Sequence, residues 1–85
     1  MKYEIKYDPK VEKQLEKFQK ETAGRIVKKL SEVGETGRGI ETISNEIYGF
    51  KIRIGDYRAL IDITFNPNII WVRYIDLRGR VYKRI

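Results

Sequence analysis

The stretch Phe50-Lys51-Ile52-Arg53-Ile54-Gly55-Asp56-Tyr57-Arg58 has the pattern of two β-strands joined by a tight turn. In its first half, apolar residues alternate with Lys51 and Arg53, which is the period of a strand with one buried face. Gly55-Asp56 suits a two-residue hairpin loop, because glycine adopts the positive φ of a type II′ turn. This turn predicts that Arg53 lies directly opposite Arg58, with Lys51 on the same face.

The predicted hairpin therefore collects Lys51, Arg53 and Arg58 on one sheet face. Like charges that lie directly opposite one another destabilise a sheet, by roughly a few tenths of a kcal/mol or more. An anionic partner would offset this repulsion, and polyanionic phosphate is the leading candidate. The alternative is structural: Arg53 and Arg58 could each neutralise an acid of this chain, such as Asp62 or Glu46.

Length and composition limit the classes of protein to which the chain can belong. Its 85 residues predict one small domain, residues 1–85, with a single core. The absence of Cys and His removes disulfides, thiol catalysis and the commonest acid–base group and metal ligand, so we expect no metal and no cofactor. No run approaches the ~20 apolar residues of a membrane span. We expect a soluble, cytoplasmic protein.

The net charge of +6 is unevenly distributed along the sequence. Residues 1–46 carry ten Lys/Arg and nine Asp/Glu, whereas residues 47–85 carry eight and three. Six of those eight cations are Arg, whose planar guanidinium suits phosphate and stacks on bases. The asymmetry favours a nucleic-acid partner over charge that serves only solubility.

The N-terminal half predicts a strand and two helices. Residues 2–7 alternate, with Tyr3, Ile5 and Tyr7 on one face, and Asp8-Pro9 has the chemistry of a helix N-cap followed by the first helical residue. A second helix is expected from Thr22 to Gly34. Each helix carries an apolar stripe that suits packing against a sheet. The stripe residues are Val11, Leu15 and Phe18 in the first helix, and Ala23, Ile26, Val27, Leu30 and Val33 in the second.

The C-terminal half predicts a three-stranded meander. Residues 34–46 contain three of the glycines and are expected to form a flexible loop. The second strand of the hairpin should run over 57–65 with Phe65 on the core face. After a turn at Asn66-Pro67-Asn68, a third strand is expected over 69–76. The predicted fold is α+β with βααβββ order: an antiparallel sheet with an N-terminal αα-hairpin packed on one face.

The side chains near the end of the sheet leave alternatives open. Both faces of strand 69–76 are largely apolar, so the side that Trp71 and Arg73 occupy is ambiguous, and a bulge is compatible with the pattern. Trp71 and Phe65 could stack on bases, but core packing is the preferred interpretation.

Three motifs together resemble the RelE/ParE toxin superfamily. They are Tyr48-Gly-Phe-Lys-Ile-Arg-Ile-Gly-Asp-Tyr-Arg58, Ile70-x-Val72-x-x-Ile75 and Arg78-x-x-x-Tyr82. The resemblance covers the whole chain, since its length and element order also fit. Members of this superfamily are the toxins of bacterial and archaeal toxin–antitoxin pairs.

The resemblance implies a catalytic site as well as a fold. RelE-like members are mRNA interferases that cut the codon in the ribosomal A site, and by that resemblance the catalytic residues are Lys51, Arg53, Arg58, Arg78 and Tyr82. The remaining cations expected to contact substrate phosphates are Arg73, Arg80, Lys83 and Arg84. One departure is Leu77, where many relatives have His.

The implied reaction is metal-independent attack of the RNA 2′-hydroxyl on the adjacent phosphate. It needs a base, charge stabilisation at phosphorus and a proton for the leaving 5′-oxygen. Lys51 is a candidate base, since neighbouring cations favour the neutral form of a lysine. Tyr82 could be activated by the same positive field, while Arg58 and Arg78 would brace the transition state. Arg53 would hold the phosphate or help to protonate the leaving oxygen.

The resemblance also implies partners: a cognate RelB-like antitoxin in a hetero-oligomeric complex, a 70S-type ribosome and mRNA, with no membrane. Two alternatives remain open. ParE-like members inhibit DNA gyrase and are not known as nucleases, and a non-catalytic relative would bind RNA without cutting it.

Overall fold

The fold consists of two helices and a five-stranded sheet, seen in a computed structural model that describes residues 2–43 and 49–77. Across the sheet the strands lie in the order β1-β5-β4-β3-β2. Within the described residues, none of the helices has the length and apolar character needed to cross a membrane. The elements in chain order are β1 (Glu4–Tyr7), α1 (Pro9–Lys17), α2 (Lys20–Thr36), β2 (Ile40–Thr42), β3 (Phe50–Ile54), β4 (Tyr57–Thr64) and β5 (Ile69–Leu77).

The hairpin that joins β3 to β4 has the predicted register. Arg53 pairs with Arg58 and Lys51 with Leu60, and the chain reverses at Gly55, whose φ is 59°. The predicted α+β class is confirmed, but the sheet is mixed rather than wholly antiparallel, because β1 runs parallel to β5. Nearly the whole chain separates β1 from β5, so no short turn dictates an antiparallel pairing.

The segment between α2 and β3 differs from its prediction as a loop. Residues Ile40–Thr42 form β2, which pairs antiparallel with β3 and adds an edge strand to the sheet. Ile40 packs against the core. The pattern is too short to be recognised as a strand by its own alternation, and its pairing with β3 is what defines it.

The helix boundaries follow the local signals at the first helix and depart from them at the second. Asp8 caps α1, since its Oδ1 accepts a hydrogen bond from the Lys10 backbone N–H at 2.9 Å. The second helix starts at Lys20 rather than Thr22 and continues beyond Gly34 to Thr36. It ends at Gly37, which adopts φ 73° and donates its N–H to the Val33 carbonyl at 2.7 Å.

Gly34 lies inside α2 because β1 approaches the helix closely there. A Cβ at this position would lie 3.0 Å from the carbonyl oxygen of Tyr3 and from two side-chain carbons of Ile5. The Tyr3 N–H donates to the Gly34 carbonyl at 2.7 Å. The glycine therefore permits contact between the helix and the strand, and it does not terminate the helix.

The core lies between the helices and one face of the sheet. The predicted stripes supply Val11, Ile26, Leu30 and Val33, all of which are buried, whereas Val27 is exposed. From the sheet, the buried apolar residues of this core are Ile52, Ile54, Ala59, Ile61, Ile70, Val72 and Ile75.

Two aromatic residues expected in the core lie elsewhere. Phe65 follows the end of β4, is 61% exposed and makes an edge contact with Tyr3, with ring centroids 6.5 Å apart. Trp71 pairs with Asp62 across β4 and β5, so it faces away from the helices. The prediction that both pack in the core is wrong, because strand parity and the end of β4 direct these side chains outward.

A bulge in β5 settles the position of Arg73. Leu60 pairs with Tyr74, whereas Ile61 pairs with Val72, so Arg73 is the extra residue. Its side chain contacts Asp62 and Trp71. The bulge therefore adds Arg73 to the sheet face that the helices leave uncovered, which we call the open face.

Candidate functional site

The open face brings together the three cations of the hairpin. Lys51 and Arg53 lie two residues apart on β3, so they share a face, and Arg58 of β4 pairs with Arg53. The Arg53 side chain is 50% exposed and that of Lys51 is 16% exposed. The predicted juxtaposition of cations is therefore present, with Arg53 the more accessible of the two on β3.

Glu41 of β2 lies beside Lys51 and Arg53. Its Oε1 is 3.9 Å from Lys51 Nζ, and its Oε2 is 3.4 Å from Arg53 Nε. It is the register partner of Lys51, so both side chains project from the same face. Glu41 was not among the predicted site residues, because residues 34–46 were expected to form a loop. The three residues of β2 carry no sequence signal that would have revealed this carboxylate, because the strand is defined by its pairing with β3.

Arg58 occupies a different environment from the two cations on β3. It is only 4% exposed, and its register partner on β5 is Asp76, which is equally buried. The attraction between two opposite charges offsets part of the cost of removing each of them from water. The acid opposite Arg58 in the register is thus Asp76, and not the Asp62 that a structural role predicted. Glu46, the other predicted acid, lies outside the described residues. Arg58 is buried, whereas the side chain of Arg53 across the hairpin is half exposed.

Arg73 is held between two carboxylates. Its Nε donates to Asp62 Oδ2 at 2.9 Å, and its Nη1 lies 3.7 Å from Asp8 Oδ2. Its guanidinium carbon also lies 5.2 Å from the centroid of the Trp71 ring. Lys51, Arg53 and Arg73 thus each lie within 4 Å of a carboxylate of the same chain, so an RNA phosphate would have to replace or join these carboxylates.

The remaining predicted site residues lie outside the part of the chain that the structure describes. They are the catalytic candidates Arg78 and Tyr82 and the substrate-contact candidates Arg80, Lys83 and Arg84. Their assignment remains a prediction.

Comparison with known proteins identifies the fold through structure rather than sequence. No family model and no curated protein sequence matches the chain. Among solved structures, it is similar to a chain of the archaeal RelE–RelB complex from Pyrococcus horikoshii OT3, with a TM-score of 0.76 and 20% identity over 94% of this chain and 99% of that one.

A second archaeal structure gives the same result. The RelB–RelE antitoxin–toxin complex from Methanococcus jannaschii contains a chain that matches with a TM-score of 0.67 and 19% identity. The match covers 94% of this chain and 98% of that one. At these identities the likeness concerns the path of the backbone. The chain therefore has the fold of RelE-like toxins.

Proposed function

We propose that the chain, as a single domain over residues 1–85, is the toxin of a type II toxin–antitoxin pair and cleaves mRNA in the ribosomal A site. The observation that carries this proposal is the group formed by Glu41, Lys51 and Arg53 on the open face of a RelE-like fold. It combines a proton acceptor with two cations on the sheet face that the helices leave uncovered. Such a group suits phosphodiester chemistry without a metal ion.

In the proposed reaction, Glu41 is the general base. One carboxylate oxygen takes the proton of the 2′-hydroxyl while O2′ forms a bond to the adjacent phosphorus. The bond from phosphorus to the 5′-oxygen breaks, and that oxygen receives a proton from Tyr82. The products are a 2′,3′-cyclic phosphate and a 5′-hydroxyl. Glu41 takes over the role that the sequence assigned to Lys51, because a carboxylate accepts a proton without first losing one.

The cations would stabilise the charge that develops on the phosphate. Lys51 and Arg53 lie within 4 Å of Glu41, so a phosphate next to this carboxylate is also next to both of them. Arg58, the register partner of Arg53, would support the same phosphate from the next strand. Arg78 would complete this group, with Arg80, Lys83 and Arg84 on flanking phosphates. We expect the ribosome to hold the substrate in the reactive geometry.

The proposed partner is a RelB-like antitoxin in a hetero-oligomeric complex. Both similar structures are complexes of RelE with RelB. A basic open face calls for an acidic or amphipathic segment that covers it when the toxin is silent.

The test is an in vitro assay on programmed ribosomes that carry a defined A-site codon, with primer extension to map any cut. We expect cleavage in the A-site codon with ribosomes and none with the same mRNA alone. Arg53→Ala should reduce it by at least tenfold. Arg25→Ala is the matched control, because it removes an equally charged, exposed residue from α2 on the helical side of the molecule.

Failure of this assay has a defined meaning. If stoichiometric protein leaves ribosome-bound mRNA intact, the nuclease proposal is wrong. Inhibition of DNA gyrase supercoiling would then support a ParE-like activity. Salt-dependent RNA binding without cleavage would support a non-catalytic relative.

A further inference from the structure

A second group of side chains on the open face surrounds the indole of Trp71. Lys6 of β1 is the register partner of Trp71, and its Nζ lies 5.5 Å from the ring centroid. The Arg73 guanidinium lies 5.2 Å from the same centroid, and the indole N–H donates to Thr64 Oγ1 at 3.0 Å. We call Lys6, Trp71 and Arg73 the Trp71 cluster.

Arg73 contributes rigidity to this cluster more than positive charge. The carboxylates of Asp62 and Asp8 lie 2.9 and 3.7 Å from its nitrogens, so its charge is balanced within the chain. The guanidinium is thus fixed by two acids, and the indole that contacts it is fixed by Thr64. Because fixed planar groups lose little freedom on binding, they form good surfaces for stacking.

Lys6 differs from Arg73, because it is exposed and no carboxylate fixes its long lysine stem in the described contacts. Its contact with the ring is a cation–π interaction at the surface, which contributes little and is easily exchanged. A flat ligand can therefore take the place of the Lys6 ammonium on the indole. The displaced ammonium remains close enough to meet an anionic group attached to that ligand.

We propose that Trp71 is a stacking platform for one base of single-stranded RNA, with the Lys6 ammonium moving to a phosphate of the same strand. Aromatic side chains bind bases of single strands in this way, with little sequence preference. This inference rests on the proposed function, which places RNA across the open face. Trp71 on β5 and Lys51 on β3 share that face. These two strands are separated by β4, so they lie two strand spacings, or about 10 Å, apart. A short single-stranded segment spans such a distance.

The position of Trp71 gives the platform a role in orientation. A base held there fixes one end of the strand segment, so the phosphate that reaches Glu41 is selected by its distance along the backbone. Arg73 is then a positioning residue that holds the indole, and not the phosphate contact that its charge alone indicated.

Trp71 is the only tryptophan in the chain, so its fluorescence reports on the platform directly. The probe is a short 2′-O-methyl oligoadenylate, which lacks the attacking hydroxyl and remains intact, and the control is an abasic oligomer with the same number of phosphates. We expect both to bind at low salt, as measured by anisotropy of an end label. Only the oligoadenylate should quench Trp71.

A variant pair tests the contribution to affinity. Trp71→Leu should weaken oligoadenylate binding by roughly tenfold, which is within the range expected for the loss of one stacked base. The affinity for the abasic oligomer should stay the same. Phe65→Leu is the control, since it removes an exposed aromatic ring outside the cluster. Unquenched fluorescence at saturation, equal affinities of the wild type and Trp71→Leu, or failure of both oligomers to bind would each overturn the inference.

The outcome is separable from that of the cleavage assay. Quenching by oligoadenylate without cleavage on ribosomes supports the platform and refutes the nuclease. Cleavage on ribosomes without quenching supports the nuclease and refutes the platform.

Discussion

The side-chain amide of Gln14 makes both of the hydrogen bonds that a neighbouring strand would make to Ile75. Its Nε2 donates to the Ile75 carbonyl at 2.8 Å, and its Oε1 accepts from the Ile75 N–H at 2.9 Å. β1 pairs with β5 only as far as Val72, after which the chain turns into α1. Gln14 therefore closes part of the β5 edge that β1 leaves open. An open edge is a template for pairing with other chains.

We predict that Gln14→Ala destabilises the fold by about 1–2 kcal/mol, because two hydrogen bonds are lost at a partly buried site. Denaturant unfolding followed by circular dichroism measures this change. The control is Gln19→Ala, since Gln19 is exposed and its side chain makes no capping hydrogen bond to α2. Equal stability of the two variants would show that water replaces the Gln14 amide at no cost.

A second prediction concerns the two glycines within α2. Gly34→Ala should destabilise the protein by about 1–3 kcal/mol, because its Cβ would press on the Tyr3 carbonyl and the Ile5 side chain, and this overpacking outweighs the gain in helix propensity. Gly24→Ala is the matched control. A Cβ at Gly24 meets nothing within 4 Å, so this change should stabilise by roughly 0.5–1 kcal/mol.

Thermal unfolding of both variants tests this assignment. A Gly34→Ala variant as stable as Gly24→Ala would mean that β1 does not depend on close approach to the helix.

The sequence predicted the parts of the fold that depend on neighbouring residues. The β3–β4 hairpin follows from alternation and a two-residue turn, and the start of α1 follows from Asp8-Pro9. The parts that it did not predict depend on distant residues. Ile40–Thr42 becomes a strand only because β3 lies beside it, and Gly34 looks like a terminator until β1 is placed against α2.

The same division applies to the candidate site. Period-two alternation is enough to place Lys51 and Arg53 on one face of the sheet. The two-residue turn then places Arg58 on that same face, directly across from Arg53. The acids that lie beside these cations could not be predicted. Glu41, beside Lys51 and Arg53, lies on the strand that was not recognised, and Asp76 lies opposite Arg58 only through the register between β4 and β5. A one-residue shift in that register would exchange the two faces of β5.

A third prediction uses the phenol of Tyr7, where burial raises the pKa above its ordinary value of 10.0. Below pH 10 both the folded and the unfolded chain keep this proton, so stability is unaffected. As the pH rises beyond 10, the unfolded chain releases it first, and the free energy of unfolding falls until the folded-state pKa is passed. In Tyr7→Phe, this part of the decrease in the free energy of unfolding at alkaline pH should be absent.

Denaturant unfolding at a series of alkaline pH values measures the slope for the wild type and Tyr7→Phe. Tyr3→Phe serves as the control, because Tyr3 directly precedes β1 and also packs against the core, and this variant retains the Tyr7 phenol. A slope that Tyr7→Phe and Tyr3→Phe reduce equally would show that the burial of Tyr7 is not its cause.

The last prediction concerns Glu41, which should affect RNA affinity and cleavage rate in opposite ways. Glu41→Gln removes a negative charge beside Lys51 and Arg53, so RNA phosphate meets less competition and the affinity for a single-stranded oligonucleotide should rise several-fold. It also removes the proposed base, so ribosome-dependent cleavage should fall by about 10²- to 10⁴-fold. Tighter binding together with slower cleavage separates a base from a residue that only neutralises charge.

The control is Glu16→Gln on α1, which changes the net charge equally at an exposed position on the helical side. It should leave the cleavage rate unchanged and alter affinity only slightly. If Glu41→Gln binds RNA more tightly and cleaves at the rate of the wild type, Glu41 is a competitor of the phosphate and the proton acceptor is another group. If it loses affinity as well as activity, the carboxylate orients Lys51 and Arg53, and its loss allows the cations to move from the phosphate.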